Sequence, residues 1–389
     1  FKLRKNVVGK RSNEYDLLSL SLKGVIKRDM ENPEGKFPAE FDTYQEVKEG
    51  DFIFCLFDVE ETPRTVGLSS YRGMITGAYT IFETNNVDKK FIYYFYLNLD
   101  SDKRLKPLYK GLRNTISKET FFSFNTFIPP LSEQQKIAQF LDDKTAKIDQ
   151  AVDLAEKQIA LLKEHKQILI QNAVTRGLNP DVPLKDSGVE WIGQVPEHWE
   201  VKKMKFLFKD TSIKNKPDAT LLSVTQNRGV IPRNWLEERT VMPSGNLETF
   251  KFIQKDDFAI SLRSFEGGLE ICHHDGIISP AYTVLKYDKK FLNNGYYKYL
   301  FKCQKFISEM QTSIVGIREG KNISYEELKY SFLPIPQIIE QQKIAQFLDE
   351  KTAKIDQAIA LKTAHIEKLK EYKSVLINDV VTGKVRVSV

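Results

Sequence analysis

The stretch EQQKIAQFLDDKTAKIDQA at residues 133–151 is repeated almost unchanged, as EQQKIAQFLDEKTAKIDQA, at residues 340–358. The two copies differ only where Asp143 is matched by Glu350. Their separation is far larger than the period of about 20 to 50 residues that is typical of solenoid repeats. The sequence therefore predicts one module written twice rather than an array of short repeats.

Both copies open long predicted helices. Pro130 and Pro336 precede the helix starts, and the next Gly or Pro is Gly177 in the first copy and Gly383 in the second. The apolar face of a helix this long exceeds what one small domain would cover. Packing of each helix on its own domain is therefore the weaker alternative. Two equal modules related by a two-fold axis place their helices head to tail, so we expect an antiparallel coiled coil. Apolar residues at steps of three and four predict its seam: Ile148, Val152, Ile159, Leu162 and Leu169 in the first helix, and Ile355, Ile359, Ile366, Leu369 and Leu376 in the second.

The segments that precede the two copies are divergent but keep a faint common order. Leu17-Leu18-Ser19 ahead of Gly24 matches Leu221-Leu222-Ser223 ahead of Gly229. Short apolar runs between turn residues predict α/β or mainly β domains with a few helices. Near-identical parts beside divergent parts indicate one shared geometry that serves two different targets.

The predicted fold class is α/β (α+β), with two globular domains separated by a long antiparallel two-helix coiled coil in a pseudo-two-fold arrangement. The lead-in to the second domain, residues 185–205, has no counterpart before Phe1, so we expect that the first domain lacks its N-terminal lead-in. The predicted boundaries are 1–128 for the first domain, 129–178 for the first long helix, 179–204 for linker and lead-in, 205–333 for the second domain, 334–383 for the second long helix and 384–389 for a C-terminal tail.

Composition narrows the class of protein. The 389 residues include 58 Lys and Arg against 52 Asp and Glu, and this net charge of +6 suits a polyanion without requiring one. Three scattered cysteines argue against a disulfide framework or a zinc module and favour the reducing cytoplasm. Apolar runs are much shorter than the roughly 20 residues of a membrane-spanning helix. We therefore expect a cytoplasmic protein with no membrane segment.

No catalytic constellation accompanies the duplication. Residues 316–322 have neither the spacing nor the final Ser or Thr of a phosphate-binding loop, and no GxGxxG follows a predicted strand. Cys272-His273-His274-Asp275 is a possible metal cluster, but neighbouring side chains on a strand point to opposite faces. An exposed turn is the simpler interpretation. The sequence thus predicts a binding protein with no catalytic site and no metal.

Residues 129–141, PPLSEQQKIAQFL, and their second copy resemble the specificity subunit of type I restriction-modification systems. The lead-in, SGVEWIG at 187–193 and VPEHWEV at 195–201, is similar to the opening of that family's target recognition domains. The resemblance spans essentially the whole chain. It implies a non-catalytic subunit that reads a bipartite, asymmetric site in double-stranded DNA, one half per domain.

The resemblance also implies partners and their cofactors. Two modification subunits would methylate adenine with S-adenosylmethionine, and restriction subunits would act with ATP and Mg. The specificity subunit itself would bind no cofactor, and its helical pair would act as the docking surface for the modification subunits.

Candidate DNA contacts follow from side-chain chemistry. Arg, Lys, Asn and Gln read base edges, and Lys, Arg and hydroxyl groups contact phosphates. Any one such residue is more often an ordinary solvated side chain, but matched positions in two copies favour an interface. The candidates are Lys23, Lys27, Arg28, Arg64, Arg72, Arg113 and Asn114 in the first domain, and Gln226, Asn227, Arg228, Arg233, Asn234, Arg263, Ser264, Arg318, Lys321 and Asn322 in the second.

Two other functions remain open from the sequence. A coiled-coil scaffold that binds only protein would show no salt-dependent, sequence-selective binding to DNA. A free-standing nuclease or methyltransferase would show activity as an isolated chain, although no motif for either is present.

Overall fold

The computed structural model describes residues 1–30, 40–110, 114–236, 246–262, 264–315 and 322–387. The chain forms two compact units, of which the first comprises Phe1–Glu156 with Thr363–Val389 and the second comprises Lys157–Lys362. Each unit therefore contains one globular domain together with a portion of each long helix.

The first half of the chain combines short strands and two short helices with one long helix. Their bounds are β1 (Lys2–Arg4), β2 (Leu18–Ser21), β3 (Gly24–Lys27), β4 (Gln45–Val47), β5 (Phe52–Phe54), β6 (Val66–Leu68), β7 (Gly73–Ile75), β8 (Thr80–Glu83), α1 (Lys89–Ser101), α2 (Lys118–Phe122) and α3 (Leu131–Arg176).

The core of the first unit lies between a sheet and α1. The antiparallel sheet has the order β1-β8-β5-β6, and β2–β3 and β4–β7 form separate pairs. Phe52 on β5 lies opposite Phe82 on β8, and both rings are fully buried with Phe91 of α1. The Asp88 carboxylate caps α1, because it accepts a hydrogen bond from the Phe91 N–H at 2.9 Å. The cap fixes where the helix begins and so which of its faces meets the sheet.

The second half of the chain repeats this order with additional strands. Their bounds are β9 (Leu184–Asp186), β10 (Gln194–Pro196), β11 (Glu200–Lys203), β12 (Phe208–Thr211), β13 (Leu222–Thr225), β14 (Gly229–Pro232), β15 (Lys251–Ile253), β16 (Phe258–Ile260), α4 (Ser264–Gly267), β17 (Glu270–Ile271), β18 (Gly276–Ile278), β19 (Thr283–Tyr287), α5 (Asn294–Leu300), α6 (Gln304–Gln311), β20 (Ile314–Val315), β21 (Asn322–Ile323), α7 (Tyr325–Leu328), β22 (Phe332–Ile335) and α8 (Ile338–Val381).

The second unit has a sheet of the same order, β12-β19-β16-β17, and the hairpin β13–β14 corresponds to β2–β3. Its predicted lead-in packs on the domain. Strand β11 pairs with β22, and the fully buried Trp199 donates a hydrogen bond from its indole nitrogen to the Glu340 carboxylate at 3.0 Å. The lead-in is thus part of the core of this unit.

In each unit the start of one long helix and the end of the other pack into the core of the globular domain. In the first unit these are Leu141 of α3 and Val381 of α8. In the second they are Leu348 of α8 and Val174 of α3. Leu141 corresponds to Leu348 in the repeat, and Val174 to Val381. The duplicated segment therefore supplies the same core positions twice.

Polar contacts give the direction of the helices in the second unit. Lys166 pairs with Asp356 at 2.6 Å, and the Lys362 ammonium donates to the Gln158 side-chain oxygen at 2.6 Å. Residue numbers rise along α3 while they fall along α8, so the two helices are antiparallel there. An exposed ion pair contributes only about 0 to 1 kcal/mol, so these contacts set the register more than the stability.

The predicted long helices are present, with α3 of 46 residues and α8 of 44 residues. All ten predicted seam residues are buried or half-buried. Among the described residues, no helix combines the length and the apolar character that crossing a membrane requires.

Candidate nucleic-acid interface

The hairpin of the second globular domain has an exposed tip. Gln226, Asn227 and Arg228 join β13 to β14, and all three are exposed. The Thr225 hydroxyl donates to the Gly229 carbonyl at 2.8 Å and accepts from the Arg228 N–H at 3.1 Å. Gly229 has a φ of +71°, which residues with a Cβ rarely adopt. We call Gln226–Arg228 the second recognition turn.

The first globular domain has the same construction with different residues at its tip. Leu22 and Lys23 join β2 to β3, and both are exposed. The Ser21 hydroxyl donates to the Gly24 carbonyl at 3.1 Å and accepts from the Lys23 N–H at 3.2 Å, and Gly24 has a φ of +91°. We call Leu22–Lys23 the first recognition turn. The two turns share the same hydrogen-bonded backbone frame, whereas their exposed side chains differ.

Open clefts flank the second recognition turn. One has a volume of about 670 Å³ and is lined by the turn together with Lys298 and Lys302. The other, of about 500 Å³, is lined by the turn with Ser261 and Leu262. A basic tip that projects between two clefts has the charge and shape to enter a groove of a polyanion.

An exposed tryptophan adjoins the second recognition turn. Trp235 is 50% exposed, its carbonyl accepts from the Arg228 guanidinium at 3.4 Å, and its ring lies edge to face with His274 at 4.9 Å. An aromatic ring beside a guanidinium offers both an apolar face and a charge to a ligand. The sequence did not single out Trp235, because single residues in loops carry no periodic signal, and it pointed to His274 only as part of a possible metal cluster or an exposed turn.

Two cations of the first domain lie over aromatic rings. The Lys27 ammonium pairs with Asp16 at 2.6 Å and lies 5.5 Å from the centre of the Tyr71 ring. The Arg72 guanidinium lies 5.6 Å from the centre of the Tyr15 ring, and its side chain is 72% exposed. Cation–π contact holds both charges close to the surface. Of the two, Arg72 is the more accessible to a ligand.

Two predicted contact residues face inwards. The Arg64 side chain is only 20% exposed and donates to the Leu22 carbonyl at 2.9 Å. Ser264 is 1% exposed, and its hydroxyl oxygen accepts from the Ser261 N–H at 2.9 Å. Both side chains hold neighbouring loop backbone from the inside, so the structure places neither of them at the exposed tip of a recognition turn.

The remaining predicted contacts differ in how far the structure describes them. Arg113, Arg263, Arg318 and Lys321 lie outside the described residues, and only the backbone of Asn322, in β21, is described. Arg28 and Arg233 are half-buried, and Asn114 and Asn234 are exposed.

The Cys272-His273-His274-Asp275 segment directly follows the edge strand β17. Cys272 is fully buried, its thiol donates to the His274 carbonyl at 3.0 Å, and burial raises the pKa of the thiol to about 12. In the part of the chain that the structure describes, no group of three or more His, Cys, Asp or Glu side chains is placed to hold a metal ion.

Known proteins share the sequence pattern of this chain. The family described as the type I restriction modification DNA specificity domain matches residues 70–163. The MjaVIII type I restriction enzyme specificity subunit of Methanocaldococcus jannaschii is 26% identical over 338 residues, which cover 81% of this chain and 75% of that protein. A second protein of that organism, provisionally named as the MjaX specificity subunit, is 25% identical over 357 residues, which cover 87% of this chain and 79% of that protein.

Solved structures share the fold at low sequence identity. A chain from a structure on complex assembly and conformational transition of the type I R-M system has a TM-score of 0.66 at 13% identity, over 89% of this chain and 84% of that chain. The HsdS subunit of Thermoanaerobacter tengcongensis has a TM-score of 0.53 at 13% identity, over 99% of this chain and 95% of that chain. The family match and the two relatives, with the two-fold sequence repeat and the paired hairpins, support a specificity subunit of a type I restriction-modification system, and the solved structures share its fold.

Proposed function

We propose that this chain recognises a bipartite, asymmetric site in double-stranded DNA, with one half read by each globular domain. The observation that carries the proposal is the pair of recognition turns, which share one hydroxyl-closed frame but present different side chains. Amides such as Gln226 and Asn227 suit adenine edges, and a guanidinium such as Arg228 suits guanine. Lys23, at the other turn, offers a different donor set.

We also propose a pseudo-two-fold arrangement. Residues 1–128 and 205–333 are the two target recognition domains, 129–178 and 334–383 form the antiparallel coiled coil, 179–204 form the linker and lead-in, and 384–389 form a tail. Reciprocal ion pairs support this: Lys373 pairs with Asp149 in the first unit, as Lys166 does with Asp356 in the second, each at 2.6 Å. The two pairs occupy corresponding positions of the repeat.

The long helices are the proposed docking surface for two modification subunits, and restriction subunits join the same assembly. Leu154, Leu161 and Ile168 recur every seven residues on α3 and are exposed. The chain is a non-catalytic subunit in this proposal. S-adenosylmethionine, ATP and Mg belong to the partner subunits.

Selection from a random library of double-stranded DNA tests the proposed function. The full chain, co-expressed with its modification subunit, should enrich a motif of two different halves separated by a fixed gap. Binding to that motif should weaken steeply as salt rises, because phosphate contacts release condensed counterions. A chain that enriches no sequence would refute the proposal and favour the protein-binding scaffold.

Arg228→Ala should relax the base preference in one half of the motif only. A guanidinium contact with a base edge is worth about 1 to 3 kcal/mol of discrimination. Competition between duplexes that carry single base changes in either half measures the effect. Lys305→Ala removes another exposed cation, on α6, and should leave both halves unchanged. Equal loss in both halves would contradict base recognition by Arg228.

A further inference from the structure

A partly buried ion pair lies directly behind the second recognition turn. The Lys302 ammonium, between α5 and α6, donates to the Gln226 carbonyl at 3.0 Å. It also pairs with the Glu270 carboxylate on the edge strand β17. The Glu270 side chain is only 4% exposed, so it anchors the ammonium from inside the domain. Burial raises the pKa of Glu270 to about 7, and the Lys302 ammonium opposes that rise.

The first recognition turn has a corresponding ion pair with the two charges exchanged. The Arg64 guanidinium, next to the edge strand β6, donates to the Leu22 carbonyl at 2.9 Å and lies 3.6 Å from the Asp100 carboxylate on α1. Asp100 is 2% exposed, and it also accepts from the Thr65 N–H at 3.1 Å and from Lys103 at 2.8 Å. Here the cation belongs to the sheet edge and the carboxylate to the helix.

The two domains thus make the same contact with unrelated residues. Strands β6 and β17 hold the same position in their sheets, and α1 and α5 follow the corresponding strands β8 and β19. In both domains a cation anchored by a buried carboxylate donates to the carbonyl of the first turn residue. In the first domain the cation comes from the sheet edge and the carboxylate from the helix, whereas in the second the carboxylate comes from the sheet edge and the cation follows the helix. The carbonyl that accepts the hydrogen bond belongs to the first turn residue in both domains.

We propose that this ion pair, Arg64 with Asp100 in one domain and Lys302 with Glu270 in the other, is a positioning device that sets how strictly each recognition turn discriminates between bases. The inference rests on the proposed function. Base discrimination requires donors and acceptors to be held within a few tenths of an ångström of their partners, and a turn closed only by its own hydroxyl has freedom to tilt. None of the four side chains needs to touch DNA.

The test compares the wild type with three variants of the full chain, each co-expressed with its modification subunit. Lys302→Met with Glu270→Met removes the donor to Gln226 without leaving an uncompensated buried carboxylate. Lys302→Arg keeps the donor, in the form that the first domain uses. Each form is presented with a random library of double-stranded DNA, and base preferences are read separately in the two halves of the enriched motif.

We expect the double variant to lose about tenfold in base preference in one half, with the other half unchanged, because a charge-assisted hydrogen bond is lost. Lys302→Arg should stay within about twofold of the wild type. Arg64→Met, made as a separate variant, should relax the base preference in the other half of the motif. These results together would assign one ion pair to each half-site.

Two results would overturn the inference while the proposed function stands. One is a double variant with wild-type preferences in both halves. The other is a parallel loss in both halves, which marks a folding defect rather than a positioning role. A wild-type chain that enriches no sequence would instead overturn the proposed function, and this inference with it.

Discussion

Trp199→Ala should lower the free energy of unfolding of the second unit by about 3 to 5 kcal/mol, the usual range for removing a large buried aromatic side chain. Trp199 is fully buried, with 0% of its surface accessible to solvent. Its ring lies edge to face with Tyr296 at 6.4 Å. The substitution also removes the indole donor to Glu340, which then keeps only His198, at 2.9 Å, among the partners described.

Denaturant unfolding of the full chain measures this loss, and two substitutions serve as controls. Trp199→Phe keeps most of the apolar volume and should cost less than Trp199→Ala. Trp235→Ala removes the same residue type from the surface, where the side chain is half exposed, and should change stability by no more than about 0.5 kcal/mol. Equal losses for Trp199→Ala and Trp235→Ala would show that the lead-in is not part of the core.

The long helices were predictable because their signal is local and repeated. Proline before each start, the long interval before the next glycine and the spacing of residues such as Ile148 and Ile366 all lie within one helix. Burial of the predicted seam follows from the same periodicity. The strand order of the domains was not predictable, because β5 pairs with β8 across two intervening strands and no local pattern encodes that choice.

The site was predictable only in part, for the same reason. The recognition turns could be located from the glycines and polar residues between two apolar runs. Arg64 and Ser264 were placed on the surface because residue type alone does not show which way a side chain faces. Lys302 was missed altogether, because its contact with Gln226 joins residues that are far apart in the chain. Long-range contacts of this kind hold a turn in one orientation, which its composition alone does not do.

Leu161→Asp with Ile168→Asp should strongly weaken assembly with the modification subunit while leaving this chain folded. Leu161 is 64% exposed and Ile168 is 51% exposed, so neither supports the core. Residues seven apart return to nearly the same face of a helix, and the seam of α3 occupies the other side. Leu361 of α8 corresponds to Leu154 in the repeat and is 65% exposed, so the second helix carries a related apolar surface.

The expected size of this effect follows from interface energetics. A buried apolar anchor in a protein interface is typically worth about 2 kcal/mol or more, and replacing two by carboxylates should weaken assembly by about a thousandfold. Co-purification of the two subunits, followed by titration of the separated proteins, measures the loss. Thermal unfolding of the variant chain alone should match the wild type, because exposed positions contribute little to stability.

The matched control adds charge to α3 but keeps the exposed apolar stripe of Leu154, Leu161 and Ile168. Ala160→Asp with Asn172→Asp adds the same two carboxylates to exposed positions of α3. If charge alone disturbed the partner, this control would fail to assemble as well. Wild-type assembly by the control, together with loss in the Leu161 and Ile168 variant, would place the modification subunit on that stripe. A Leu161 and Ile168 variant that still assembles in the wild-type ratio would instead exclude this face of α3 as the docking surface.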